Sequence, residues 1–247
     1  ASGDYNATPI TGVNFDLSQF GGGASVAALN SAGIWTATHL LSAGAIDATN
    51  RNVSVTASNS NGPATTAGTN NATVDTIAPV VTPGNIALSG ASGVGGAFKA
   101  GDTVTAQWNN TAAGDNNTDT ISAVTINLSA FNGPVAVPAT NAAGIWTATH
   151  PLPAGVAGNN LNASISAADN AGNITTTAST ANATVDTLIP TVSSIAVSGS
   201  PAPGDASVAF TATFNKPVIN ISTDDFTLIG TGTASGTISS VSASTGS

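Results

Sequence analysis

The chain has 247 residues, no cysteine, no methionine and a formal charge of -9, its acidic residues being aspartate throughout. Only Arg51, Lys99 and Lys216 are basic, so nothing here can neutralise a run of phosphates, and nucleic acid is excluded as a partner. Disulfides are excluded too, and no apolar run approaches the ~18–20 residues of a membrane-spanning helix.

Good helix formers other than alanine are nearly missing, while Val and Thr, which favour strands, are plentiful beside the turn formers Gly, Asn, Asp and Pro. An all-β chain is expected, and 41% hydrophobic residues suffice for packed cores. No signal peptide opens the sequence, which is what a mature or excised piece would show.

In chain order, the first strand segment is "VNFDLSQF" (13–20), followed by "GIWTATH" (33–39) and "NATVDT" (71–76). All three return, as "VTINLSAF" (124–131), "GIWTATH" (144–150) and "NATVDT" (182–187). Trp35 and Trp146 stand 111 positions apart, and "ASGDYN" at the start matches "AAGDNN" at 112–117. A one-residue gap opens and closes near 45–50 and 66–71. The repeat is therefore a domain of about 110 residues, far longer than solenoid or propeller units. A copied folding unit explains the duplicated heptapeptide; a twin active site does not.

The middle copy is complete. Its predicted strands are "VVTPGNIALSG" (80–90), "TVTAQW" (103–108), "ISAVTINLSAF" (121–131), "PVAVPAT", "GIWTATHPL", "LNASISAAD" (161–169) and "ITTTASTANATV". Short strands with turn signals every ~8–12 residues fit a Greek-key β-sandwich of the immunoglobulin type. Trp146 and Ile126 or Leu128 are expected to face its core, with Trp35 and Trp108 also buried. Three domains are predicted: 1–78, lacking its first strands; 79–189, complete; and 190–247, a second subtype that stops before its later strands.

The linker "VDTIAPVVT" (74–82), its copy "VDTLIPTVS" (185–193) and the loop "ADNAGN" (168–173) resemble the bacterial immunoglobulin-like repeats of large surface adhesins and biofilm-associated proteins. "AFTATFNKPV" with "DDFTLIGTGTASGTI" in the third unit looks like a second subtype from the same kind of protein. The resemblance implies tandem Ig-like sandwiches in an extended extracellular or cell-surface stalk. Pro79 and Pro190 would stiffen the joints, since proline fixes φ and restricts the residue before it. It further implies calcium between domains.

In a seven-strand sandwich the loops after the second and sixth strands lie beside the incoming linker. That brings Asp75 of the linker to Asp115 or Asp119 of one loop and to Asp169 and Asn173 of the other, an oxygen-rich set suited to calcium. Asp and Asn are also the ordinary turn residues of any β protein. The first copy carries Asn59 in place of Asp169, so its own incoming pole is expected to lack a site. At the second joint Asp186 would meet Asp224 or Asp225.

Other signals carry little chemistry. His39 and His150 are repeat equivalents at strand ends, without cysteine or a defined serine triad beside them. "GGG" (21–23) and "GVGG" (93–96) precede no helix and no Lys-Ser/Thr pair, so they are turns and not phosphate cradles. The sequons at Asn6, Asn52, Asn71, Asn162, Asn173 and Asn182 are what an Asn- and Thr-rich chain yields by chance. Alternating Thr and Ala raises the idea of an ice-binding face, but such faces come from short repeats, and this repeat is far too long. Few aromatics are free to stack on a sugar.

The sequence thus points to a non-catalytic stalk or spacer whose partners are adjacent repeats of the same chain. A self-assembling filament or surface-layer subunit is the alternative, in which identical neighbours complete the partial end domains by strand addition.

Overall fold

A computed structural model of the chain describes residues 6–233 and 235–242. The described residues are all-β, with helix confined to three-residue 3-10 turns. No described helix is long and apolar enough to cross a membrane. Two compact units emerge, Ala1–Thr187 and Leu188–Ser247. Both copies of the repeat fall inside the first.

The first copy comprises β1 (Gly12–Asp16), β2 (Val26–Ala27), β3 (Leu29–Ser31), β4 (Ile34–Thr36), β5 (Asp47–Arg51), β6 (Ser54–Asn59), β7 (Gly62–Ala67) and β8 (Ala72–Asp75). Strands β2-β1-β6-β7 form one sheet, while β3-β4 and β5-β8 pair separately. The middle copy runs through β9 (Ile86–Ser89), β10 (Phe98–Lys99), β11 (Thr103–Asn109), β12 (Ile121–Asn127), β13 (Val137–Pro138) and β14 (Thr140–Ala142). It continues with β15 (Ile145–Pro151), β16 (Ala157–Leu161), β17 (Ser164–Asp169), β18 (Ile174–Ala178) and β19 (Ala183–Asp186).

Two four-stranded sheets of the middle copy, β14-β15-β11-β9 and β13-β12-β17-β18, enclose a single core, and β10-β19-β16 adds a third sheet. The arrangement is a β-sandwich. Alternation along the strands builds it: Val104, Ala106 and Trp108 point inward from β11, and Val124 and Ile126 from β12. Leu128, Ile165 and Phe131 complete the interior, with Phe98 edge-on to Phe131 at 6.2 Å between ring centroids.

Several predicted strands are shorter than expected: 121–131 ends at Asn127 before a 3-10 turn at Ser129–Phe131, and 134–140 keeps only Val137–Pro138 before β14. Pro83, which has no N–H to pair, opens a 3-10 turn, so the first strand begins only at Ile86. The segment 161–169 divides after Leu161, and 174–185 divides at Ser179. There the Ser179 hydroxyl donates to Ile86 O (3.1 Å) and accepts from the Ala181 N–H (2.9 Å), which turns the chain out of one sheet and into another.

The two copies superpose by strand order: β2-β1-β6-β7 corresponds to β13-β12-β17-β18, β3-β4 to β14-β15, and β5-β8 to β16-β19. Their hairpin turns match as well. Ala32-Gly33 and Ala143-Gly144 all take positive φ, the twist a two-residue hairpin loop requires, and Asn30 and Asn141 each accept the following glycine N–H. Among the described residues, no strand of the first copy corresponds to β9, β10 or β11. The consequence falls on the heptapeptide. β15 extends through His150 because β11 pairs with it from Asn109↔Ile145 to Thr103↔Pro151. β4, with identical letters, stops at Thr36. Trp146 is buried; Trp35, expected in an equivalent interior, is half-buried, and among the described residues no strand flanks β4 as β11 flanks β15.

The second unit contains a hairpin, β20 (Val192–Ser198) with β21 (Ala209–Phe214), and a 3-10 turn at Thr223–Asp225 closed by a capping box between Ser222 and Asp225.

Candidate functional site

The antiparallel β5-β8 pair sets Asp47 directly opposite Asp75, where the first copy hands over to the linker. Asp119, in the loop between β11 and β12, approaches both. One carboxylate oxygen from each of Asp47, Asp75 and Asp119 lies within 4.8 Å of the others. Asp47 is exposed, and Asp75 and Asp119 are half-buried. Burial, and then the like charges of Asp47, Asp75 and Asp169, push the Asp119 carboxyl above its ordinary value.

Of the residues expected here, Asp75 and Asp119 are brought together, and Asp169 is close enough for its charge to be felt at Asp119. Asp169 is buried, and its oxygens accept from the Ala171 N–H (2.8 Å), the Asn173 N–H (2.9 Å) and the Asn173 amide (3.0 Å). Burial pushes its pKa up, but the donors of Asn173, Ala171 and Gly172 outweigh that and leave it lowered. Asn173 also donates to Asp75 O (3.3 Å) and Ile77 O (3.4 Å), so it ties the linker to the β17-β18 loop.

Asp115 has a different task. Its carboxylate accepts from the Trp108 indole N–H (2.6 Å), the Thr82 N–H (2.9 Å) and the Asn85 amide (2.7 Å), which fastens the segment before β9 to the core strand β11. It is not among the three clustered carboxylates. Asp186 stands opposite Ala157 on β16 and beside Lys99 on β10. The position that holds Asp47 at the first joint is thus an alanine at the second. Asp224 and Asp225 sit in the capped turn of the second unit. Asn59, the counterpart of Asp169, accepts the Asn61 N–H (2.8 Å) in the same kind of turn.

Asp47 was the residue the sequence reading missed. It lies at 45–50, where the one-residue gap between copies opens, so its middle-copy equivalent is Ala157 and the repeat gave no second aspartate to flag it. The pairing of "NATVD" with the preceding strand was the signal that would have found it.

His39 is exposed, and the half-buried His150 has a buried Nε2 without a hydrogen-bond partner, as does Trp146 Nε1. A shallow cleft lined by Leu88, Phe98 and Asn182 contains no titratable side chain. Chemically, the acidic cluster presents hard oxygen donors of the kind divalent cations take.

In comparisons with known proteins, no family model matches the chain and no curated protein matches it.

Proposed function

We propose that the chain is a non-catalytic structural spacer: tandem Ig-like sandwiches in the stalk of an extracellular or cell-surface adhesin of bacterial type. The strand orders of the middle copy, with β14-β15-β11-β9 facing β13-β12-β17-β18, support the Ig-like Greek-key reading. The observation that carries the spacer reading is the way the linker between the copies is held. Asn117 accepts the Val80 N–H (2.7 Å) and donates to Val80 O (2.9 Å), while Asn173 grips Asp75 O and Ile77 O from the other side. A linker hydrogen-bonded along its backbone on both sides transmits orientation, which a spacer needs and an enzyme scaffold does not.

Calcium at Asp47, Asp75 and Asp119 belongs to the same reading. Three carboxylates offer up to six oxygens, within the six to eight that calcium takes, and a bound cation would remove their mutual repulsion. The test of the spacer role is small-angle scattering of the chain. A compact globule of this length has a radius of gyration of about 18 Å. The spacer reading expects a value well above that, and a value near it would remove the reading.

A further inference from the structure

We propose that Asn61 is a site of self-modification: the Asn61–Gly62 peptide closes to a succinimide and reopens as aspartate or isoaspartate, while the fold protects the chain's other Asn-Gly pair. The inference goes beyond the spacer reading and does not depend on it.

The sequence offers this reaction two places. Asn-Gly occurs at Asn61–Gly62 and at Asn132–Gly133, each followed by proline. The main-chain nitrogen after an asparagine can attack the side-chain carbonyl carbon. Glycine allows this most readily, because no Cβ blocks the approach and its backbone turns freely. The letters do not distinguish the two pairs. Their surroundings do.

Asn61 and Gly62 form the tip of the β6-β7 hairpin, and both are exposed. Gly62 lies at φ +113°, and no atom stands within 4 Å of the place a Cβ would take. The Asn61 side-chain amide donates to Thr8 Oγ1 at 3.4 Å, beyond the usual length of such a bond. Gly62 pairs opposite Asn59 in the last rung of the ladder, and the next rung sets Pro63, which has no N–H, opposite Ser58. A ladder end of this kind opens at little cost in free energy. Opening frees the Gly62 N–H and lets the Asn61 side chain swing over it.

At Asn132–Gly133, between β12 and β13, the nitrogen is locked. The Gly133 N–H donates to Leu128 O (3.1 Å), and the Asn132 N–H to Ser129 O (3.0 Å). The Leu128 N–H in turn donates to Pro134 O (3.0 Å), and Leu128 and Phe131 are fully buried, so the turn is fixed to the core. The His150 ring lies against Gly133, where a Cβ would come within 2.9 Å of it. Releasing this nitrogen means undoing core packing, whereas releasing that of Gly62 means fraying a tip.

The reaction balances with water alone. The Gly62 nitrogen gives its proton to solvent base and bonds to Asn61 Cγ. The bond from Cγ to the side-chain nitrogen breaks, and that nitrogen takes a proton from solvent and leaves as ammonia. Water then adds to one of the two ring carbonyls. Ring opening yields aspartate in the original main chain, or isoaspartate in a main chain longer by one methylene. Nothing is oxidised or reduced.

Either product writes a carboxylate into the hairpin that corresponds to the β17-β18 loop. The first copy has Asn59 there where the middle copy has Asp169, so the reaction adds a negative charge near a position where the other copy already carries one.

The test follows both side-chain amides in the isotope-labelled full chain by nuclear magnetic resonance during storage in mildly alkaline buffer. Mass spectrometry of peptic fragments, made in acid where ring closure is slow, checks the site, and an isoaspartate-specific methyltransferase identifies the product. The expected result is loss of the Asn61 signals several-fold faster than those of Asn132, with isoaspartate at position 61. In urea strong enough to unfold the chain the two rates should converge. Asn61→Gln should remove the fast phase of ammonia release without changing the circular dichroism, since the larger ring closes far more slowly. Equal loss at both sites in the folded chain, faster loss at Asn132, or Asn61 signals that persist while the unfolded chain reacts would each overturn the proposal. A gap of the same size in urea would trace the difference to flanking residues and overturn it as well.

Discussion

Trp108 lies directly opposite Trp146 across the β11-β15 ladder, and Trp35, in a heptapeptide identical to that of Trp146, has no described residue in Trp108's place. The pair shows where the stability of the middle copy resides. Trp108→Ala removes a fully buried indole and is expected to cost about 3–5 kcal/mol, in the range of large-to-small core substitutions. Trp35→Ala removes a half-buried ring beside an open face and should cost less than about half as much. Urea denaturation followed by far-ultraviolet circular dichroism compares the two.

Acid should loosen the middle copy through Asp115. Burial works to raise its pKa, but the hydrogen bonds from Thr82, the Trp108 indole and Asn85 win and hold it below the usual carboxylate range. A lowered folded-state pKa contributes stability that is fully present above the unfolded value of about 3.9 and is lost as pH falls through the folded value. Asp115→Asn should therefore be less stable than the parent at pH 7, with the gap narrowing as pH falls below about 4. Denaturation midpoints at pH 7 and pH 3 check this, and a gap of constant size would contradict it.

The clamp on the linker predicts a local effect. Asn117→Ala deletes both hydrogen bonds to Val80, each worth about 0.5–1.5 kcal/mol net. Amide exchange at Val80 should accelerate by roughly 2- to 13-fold, the conversion of the N–H bond alone at those energies. The amides of β11 and β12 should be unaffected.

The acidic cluster predicts a change of sign. With chelator present, Asp47→Asn relieves repulsion among Asp47, Asp75 and Asp119 and should raise the melting temperature. In millimolar calcium the same substitution removes a ligand and should lower it relative to the parent. Calcium at 100 times its dissociation constant would stabilise the parent by about 2.7 kcal/mol. Calorimetry that shows no calcium shift in the parent eliminates the cation.

Much of the fold was legible because strand propensity and burial act together here. The alternation in "TVTAQW" and "ISAVTIN" marked β11 and β12, and the 111-residue spacing found the copied unit. The short third sheet was not legible: β10 has two residues and pairs in parallel with a distant strand, so no local periodicity announces it. At the joint, Asp75, Asp119 and Asp169 could be placed from loop order. Asp115 could not, because the decision between an exposed loop ligand and a partner for the Trp108 indole is made by packing. Trp35 shows the same limit. Identical letters are buried in one copy and half-exposed in the other, since among the described strands β11 pairs with β15 and has no counterpart beside β4.

The most direct measurement is hydrogen exchange by nuclear magnetic resonance at the two heptapeptides. From Ile34 to His39 and from Ile145 to His150 each amide has the same preceding residue and side chain, so intrinsic rates match and any difference is structural. Slow exchange across Thr147–His150 and fast exchange across Thr36–His39 is expected, because only β15 has β11 beside it. Equal protection in the two segments would contradict the account.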